Sequence, residues 1–274
     1  MIPSLGIIGC GKLGRSLARL WAQSGILRID VILNRTEASA QDAVAFIGAG
    51  RALAEHEALP KSDLYLIGTP DGEIASACEK LAAGGMLDET TIVFHCSGAL
   101  NSGYLVSARE RGAAVASIHP IRSFARPELA AQDFAGTFCG VEGDARALDV
   151  LLPLFSAIGA RIVPIDGERK VLYHSAAVMA SNYLVTLLDV ARGLYLKAGV
   201  DAGTALAMLA PLTRGTLENV LQFGPEAALT GPIARGDHET VARQQAALYA
   251  LRPEIGELYR DLARLTAELA ARRN

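Results

Sequence analysis

Leu5-Gly6-Ile7-Ile8-Gly9-Cys10-Gly11-Lys12-Leu13-Gly14 is the stretch that decides the fold. A short apolar run meets three glycines at G-x-G-x-x-G spacing. An amphipathic helix pattern follows, with Leu13, Leu17, Leu20 and Trp21 on one face and Gly25 placed to end it. In a strand–turn–helix unit of this kind, Gly9 permits the tight turn and Gly11 lets the backbone approach a pyrophosphate. Gly14 lets helix and strand pack closely. The helix start then offers unpaired N–H groups and a positive dipole end to the phosphates. Glycines of an ordinary turn would explain the spacing but not the strand before it and the helix after it. Gly9, Gly11, Lys12, Leu13 and Gly14 are therefore expected to line a dinucleotide.

Outward from this unit, short apolar runs alternate with helical patterns through residue 165, as in a parallel sheet covered on both faces. Candidate strands are 5–8, 30–34, 64–68, 91–95, 113–117, 137–141 and 161–165, with a shorter one near 51–53. From Glu168 onward the pattern is helical, broken at Gly199, Pro211, Gly224-Pro225, Gly231-Pro232 and Pro253. Leu258, Leu262, Leu265 and Leu269 form one apolar stripe on the last helix. The expected class is α/β: a Rossmann doubly wound parallel sheet over 1–166, followed by an all-α domain over 167–274.

Composition narrows the classes of function. Of the 274 residues, 51% are apolar and 20% charged, and a net charge of −3 with scattered Lys and Arg gives no footprint for nucleic acid or an anionic membrane. Cys10, Cys78, Cys96 and Cys139 are far apart and form no C-x-x-C pair, so neither a metal site nor a disulfide framework is expected. The longest uncharged helical stretch, 175–188, falls short of the ~20 residues a bilayer requires and reads as a buried helix. With no signal-peptide pattern after Met1, the expected compartment is the cytoplasm.

The end of the second strand selects the cofactor. An NAD enzyme usually carries Asp or Glu about 20 residues past the fingerprint. Here Asn34-Arg35-Thr36 stands instead, and a guanidinium beside a hydroxyl suits a 2′-phosphate. NADP is the expected cofactor. Thr69 and Pro70, at the next strand end, are expected to line it.

Substrate groups are expected at the remaining strand ends. Ser97 and its neighbouring N–H groups fall near the nicotinamide, and His119, before Pro120, could donate a proton. His95 reads as a satisfied core histidine, and His56 and His238 as exposed. On the first long helix of the second domain, Lys170 and His174 are four residues apart and share a face that Ser181 extends, with Asn182 beside it. Polar groups on an apolar helix are costly unless they bond something, and a cleft between the domains would supply the reason.

Several segments together resemble a known bacterial family: the fingerprint, Asn34-Arg35-Thr36, Ser117-Ile118-His119-Pro120, Ala180-Ser181-Asn182-Tyr183, Gly215-Thr216-Leu217-Glu218-Asn219, and Leu229-Thr230-Gly231-Pro232 followed by Arg235-Gly236-Asp237. Its members join a Rossmann-like domain to a helical domain of unknown function and are often described as NADP oxidoreductases of the deazaflavin-dependent type. More distantly the architecture is similar to 6-phosphogluconate dehydrogenase, ketopantoate reductase and pyrroline-5-carboxylate reductase. In the first of these a catalytic Lys is followed four residues later by Asn. Lys170 fits the first position here, but His174 holds the second, so 2-hydroxy-acid chemistry does not carry over.

These readings imply hydride transfer between NADP(H) and a small carbonyl or imine compound in the interdomain cleft. His174, Lys170 or His119 would act as general acid, with Ser97 and Asn182 positioning the substrate. The alternative is a sensor that binds NADP without turnover. A homodimer built by the helical domain is expected, because about 107 residues cannot easily cover several apolar stripes.

Overall fold

The computed structural model describes residues 2–53 and 59–272; His56 lies outside the described residues. They fall into two compact units, residues 1–178 and 179–274. The first holds β1 (Ser4–Ile8), α1 (Lys12–Ser24), β2 (Arg28–Leu33), α2 (Glu37–Ile47), β3 (Arg51–Leu53), β4 (Leu64–Ile67), α3 (Ile74–Ala83), β5 (Ile92–His95), α4 (Val106–Arg109), β6 (Ala114–Pro120), α5 (Pro127–Gln132), β7 (Phe138–Gly143), α6 (Ala145–Ala157), β8 (Arg161–Pro164) and most of α7 (Lys170–Ala180). The second holds α8 (Asn182–Lys197), α9 (Ala202–Phe223), α10 (Pro225–Ala228), α11 (His238–Leu251) and α12 (Pro253–Ala271).

The eight strands form one sheet in the order β3-β2-β1-β4-β5-β6-β7-β8. Every expected strand is present, and Gly25 ends α1 in the left-handed region at φ 67°. One face carries Leu64, Leu66, Phe94, Ala116 and Ile118 and packs on Leu17 and Trp21 of α1 and on Leu151 and Phe155 of α6. Trp21 stands edge-on to Phe155 at 5.1 Å and donates its indole N–H to the Leu154 carbonyl at 3.1 Å. On the other face Tyr65, Ile67, Val93 and Val115 pack on Ile74, Cys78 and Leu81 of α3. That layering follows from strand alternation, which sends successive side chains to opposite faces.

The sheet departs from the expected all-parallel arrangement at one place. β6 and β7 are antiparallel, and β8 is parallel to β7. A parallel connection needs a crossover back along the sheet. The link after β6 contains only the six-residue α5, packed beside α1 through Ser16 Oγ donating to the Pro127 carbonyl at 3.2 Å. The chain therefore re-enters the sheet from the end at which it left. β6 also runs on to Pro120, so Ser117 and His119 lie within the strand rather than beyond it.

The helix expected over 175–188 is interrupted. Ser181 leaves helical geometry at φ −120°, ψ −69°, and α7 and α8 meet there. The expectation of a buried, too-short apolar helix also fails. Gly167–Lys197 spans 31 residues and contains an 18-residue window at a mean hydropathy of 1.3, long and apolar enough to cross a membrane, and none of that window is buried within this chain.

In the second unit, Asp201 caps α9 by accepting from Gly203 N and Thr204 N, and Asp237 caps α11 by accepting from Thr240 N. α12 comes close to α11 where Gly256 faces the Tyr249 ring; a β-carbon there would lie 2.5 Å from it. Large apolar side chains of α8 and α9 remain open, among them Val185, Leu206, Leu212 and Leu221.

Candidate active site

The glycine-rich turn has the geometry its sequence implies. Gly9 sits at φ 82°, and a β-carbon there would meet Thr69 N at 2.6 Å. Gly68 would in turn strike the Gly9 carbonyl at 2.4 Å, so the turns after β1 and β4 need glycine on both sides. Gly11 faces open space, and Gly14 lies against the Cys10 thiol and the Gly9 carbonyl. The first turn of α1 has no acidic residue and no side-chain cap, so its N–H groups are unclaimed by side chains. Lys12 is exposed beside them and Leu13 packs against the core. Thr69 Oγ1 is buried with no partner among the described residues, and Pro70 is exposed next to it. An open Gly11, a bare helix start and an orphaned hydroxyl are what a dinucleotide pyrophosphate requires.

Asn34, Arg35 and Thr36 divide the work at the end of β2. Asn34 Oδ1 accepts the Cys10 N–H at 2.6 Å, and its Nδ2 donates to the carbonyl and hydroxyl of Ser39. Thr36 caps α2 by accepting from Ser39 N. Arg35 and Thr36 are both exposed.

A polar cluster is built on the face shared by β5, β6, β7 and α7. Its lower part is one continuous hydrogen-bonded chain. Ser97 Oγ donates to Asp71 Oδ2 at 2.9 Å and accepts from the N–H groups of Ala99 and Leu100. Ser97 N donates to His95 Nδ1 at 3.1 Å, which leaves the proton of that ring on Nε2, facing the Asn101 carbonyl at 3.1 Å. His95 is thus the satisfied core histidine expected. Burial first, and then the nearby Lys170 charge, lower its pKa to about 4. Ser117 Oγ bridges His95 Nδ1 and Lys170 Nζ.

Lys170 is 1% exposed and lies 3.3 Å from Glu142 Oε1. Glu142 also accepts from Ser102 N and Ser102 Oγ at 2.8 Å each. Burial lowers the Lys170 pKa, against the pull of Glu142 in the opposite direction. Its ammonium is turned into the sheet and held by protein atoms.

The upper part of the cluster is aromatic. Tyr173 Oη is 3.0 Å from His119 Nδ1. The rings of His119 and His174 stand edge to face at 5.4 Å. Both crowd Gly98, where a β-carbon would lie 2.2 Å from His174 Nδ1 and 2.8 Å from His119 Nε2. His174 Nδ1 is buried and has no partner among the described residues. Burial, and then the like charges of His174 and Lys170, lower the His119 pKa to about 4.

Ser97, His119, Lys170 and His174 are thereby brought together. Asn182 is exposed at the start of α8, in the other compact unit. Asp71, Ser117, Glu142 and Tyr173 join the cluster without having been singled out from the sequence. Tyr173 was accessible to a helical reading, being three residues past Lys170.

The family models divide the chain within the sheet, between residues 120 and 137. Residues 2–120 match the Rossmann-like domain, and residues 137–266 match a domain of unknown function, DUF2520. The chain joins a Rossmann-like domain to a DUF2520 domain. It is similar to the candidate NADP oxidoreductase BF3122 of Bacteroides fragilis, at 23% identity and TM-score 0.79, over 97% of this chain and 98% of that one. It is also similar to protein TM1727 of Thermotoga maritima, at 27% identity and TM-score 0.73, over 98% and 100%. The 1-pyrroline-5-carboxylate reductase of Streptococcus pyogenes shares the fold at 11% identity and TM-score 0.62, over 97% and 98%. No curated protein matches the chain.

Proposed function

We propose that this protein is an NADP-dependent oxidoreductase acting on a small carbonyl or imine compound. The observation that carries the reading is the coincidence, on one sheet, of an open dinucleotide turn with an orphaned buried imidazole nitrogen. The bare start of α1, Gly11 and Thr69 Oγ1 would hold the pyrophosphate side, and Arg35 the 2′-phosphate. When bound, the nicotinamide supplies or takes the hydride. His119 and His174 would receive the substrate heteroatom, and Ser97 would keep Asp71 and the 97–100 turn in place beneath them. Lys170, enclosed by Ser117 and Glu142, would act on His119 through its charge rather than by touching substrate. The fold shared with a candidate NADP oxidoreductase and with a pyrroline-5-carboxylate reductase supports the class of reaction.

Titration of the protein with NADPH and NADH, followed by a screen of carbonyl and imine compounds for NADPH oxidation, tests this. Tighter binding of NADPH is expected, together with turnover of at least one compound. An Arg35→Ala variant should lose about 1.5–3 kcal/mol of NADPH affinity and none for NADH. Equal affinity for both cofactors in the wild type would remove the NADP assignment, and binding without turnover would favour a sensor.

We further propose self-association through the helical unit. Large apolar side chains are left open on α8 and α9, among them Val185, Leu206, Leu212 and Leu221, and exposed apolar patches commonly mark contact surfaces. Lys170 and Tyr173 anchor the start of the 167–197 segment to the sheet, which favours a second copy over a bilayer as the cover for the remainder.

A further inference from the structure

α9 carries only two charged side chains in 22 residues, Arg214 and Glu218, yet Ala205 and Leu209 are the only residues of it that are buried. A helix so nearly apolar on every side is ordinarily covered all round. One stripe along it has a particular spacing: Leu206, Ala210, Thr213, Arg214, Leu217 and Leu221 follow one another at steps of 4, 3, 1, 3 and 4 residues. At about 100° per residue these six fall on one face. The series also reads the same in both directions, as the pairing of two identical antiparallel helices requires.

The two halves of the stripe differ in shape. Leu206, Ala210, Thr213 and Arg214 border a recess of about 490 Å³ between α8 and α9, which Leu188 and Leu209 also line. Leu217 and Leu221, beyond its end, stand exposed. Hole and knobs sit at equal distances from the middle of the stripe: Leu221 lies as far beyond it as Leu206 lies before it, and Leu217 as far as Ala210. An antiparallel copy of the same helix brings each pair of knobs to the other's hole, which is the condition for a closed two-fold contact. We propose that α9 pairs with α9 of a second copy, antiparallel, about a two-fold axis between Thr213 and Arg214, so that Leu217 and Leu221 of each chain fill the recess of the other. This deepens the self-association reading and rests on it.

Charge supports the same register. Arg214 and Glu218 are both exposed, and neither has an ion-pair partner among the described residues. In this pairing the two Arg214 side chains meet at the axis, and the two Glu218 carboxylates flank them. Each Arg214 is then about 6 Å along the helix from its own Glu218 and about 7.5 Å from that of the second copy. A partner of another kind would have to match this alternation of charge with a different sequence; a second copy supplies it by symmetry.

Cross-linking of the full-length protein through one introduced cysteine reads the register, because all four native cysteines are buried. The two copies of residue 213 are offset by about 1.5 Å along the axis, within disulfide reach across packed helices, and those of residue 206 by about 22 Å. Mild oxidation should therefore join Thr213→Cys chains in pairs and leave Leu206→Cys chains unjoined. Arg214→Glu sets four carboxylates in one row and should weaken association roughly tenfold or more in sedimentation equilibrium. Adding Glu218→Arg to that variant should restore it. A paired wild type in which Thr213→Cys fails to cross-link would overturn this register and leave self-association standing. The same holds if Arg214→Glu leaves association unchanged, or if Glu218→Arg does not rescue it. A wild type that sediments as a single chain would remove both proposals.

Discussion

Asn34 Oδ1 accepts the backbone N–H of Cys10 at 2.6 Å, and from Nδ2 the same side chain reaches the carbonyl and hydroxyl of Ser39 at 3.0 Å. One amide thus clasps the glycine-rich turn to the start of α2. Asn34→Ala should cost about 1–3 kcal/mol of folding stability, since a part-buried N–H loses its acceptor. Because the whole turn loosens, NADPH and NADH affinity should fall together. Chemical denaturation and two cofactor titrations check this; an effect confined to NADPH would mean that Asn34 contacts the 2′-phosphate itself.

His95 and His119 make the fold acid-sensitive. Each has an ordinary pKa of 6.5 that the fold lowers to about 4, so between those values the unfolded chain binds more protons. Stability is therefore fully present above pH 6.5 and lost as pH falls through 4. At 1.36 kcal/mol per pKa unit the loss is roughly 3 kcal/mol for each ring. Urea denaturation across this range should show the decline, and it should be shallower in His95→Gln and in His119→Gln. An acid limb equally steep in both variants would place the sensitivity elsewhere.

Gly98 is predicted to tolerate no side chain if the site is to work. In Gly98→Ala the new methyl group would lie 2.2 Å from His174 Nδ1, so both imidazoles must turn aside. The overpacking should cost about 1–3 kcal/mol of stability. Turnover should fall at least tenfold while NADPH binding stays near wild type. Full turnover in this variant would show that neither ring needs its present position.

The open apolar side chains of the helical unit predict a particle of twice the 28.8 kDa chain mass. Light scattering at micromolar concentration should find it. Leu206 and Leu221 are 63% and 78% exposed, and charge introduced at both, as Leu206→Lys with Leu221→Lys, should shift the particle toward a single chain. A single chain in the wild type would remove the proposal. A pair unaffected by these changes would place its contact outside α9.

The sequence is most legible where local pattern and fold coincide. Alternating apolar runs marked all eight strands, and the G-x-G-x-x-G spacing marked the turn whose Gly9 needs φ 82°. Strand direction was not legible, because alternation looks the same in either sense. With β7 read as parallel there was no reason to place Glu142 opposite Ser117, and the partner of Lys170 stayed hidden. The break at Ser181 carries neither Gly nor Pro, so a continuous helix was the natural reading. Asn34 was legible as a residue of the cofactor end, but not as a clasp, because its backbone partners belong to the glycine-rich turn and to α2.

The reversal of β7 fixes a translational registry between a helix and a strand. β8 runs against β6, so the chain turns after Pro164 and α7 travels in the same direction as β6. Lys170 meets Ser117, and one helical turn later Tyr173 meets His119. Residue order along α7 therefore reproduces residue order along β6, and the enclosed cation, the phenol and the open imidazole follow one another at fixed heights. A single residue added between Ile165 and Lys170 would rotate every one of these side chains by about 100° and displace it by about 1.5 Å. The five-residue link from Asp166 to Lys170 is for that reason as constrained in length as the glycine-rich turn is in composition.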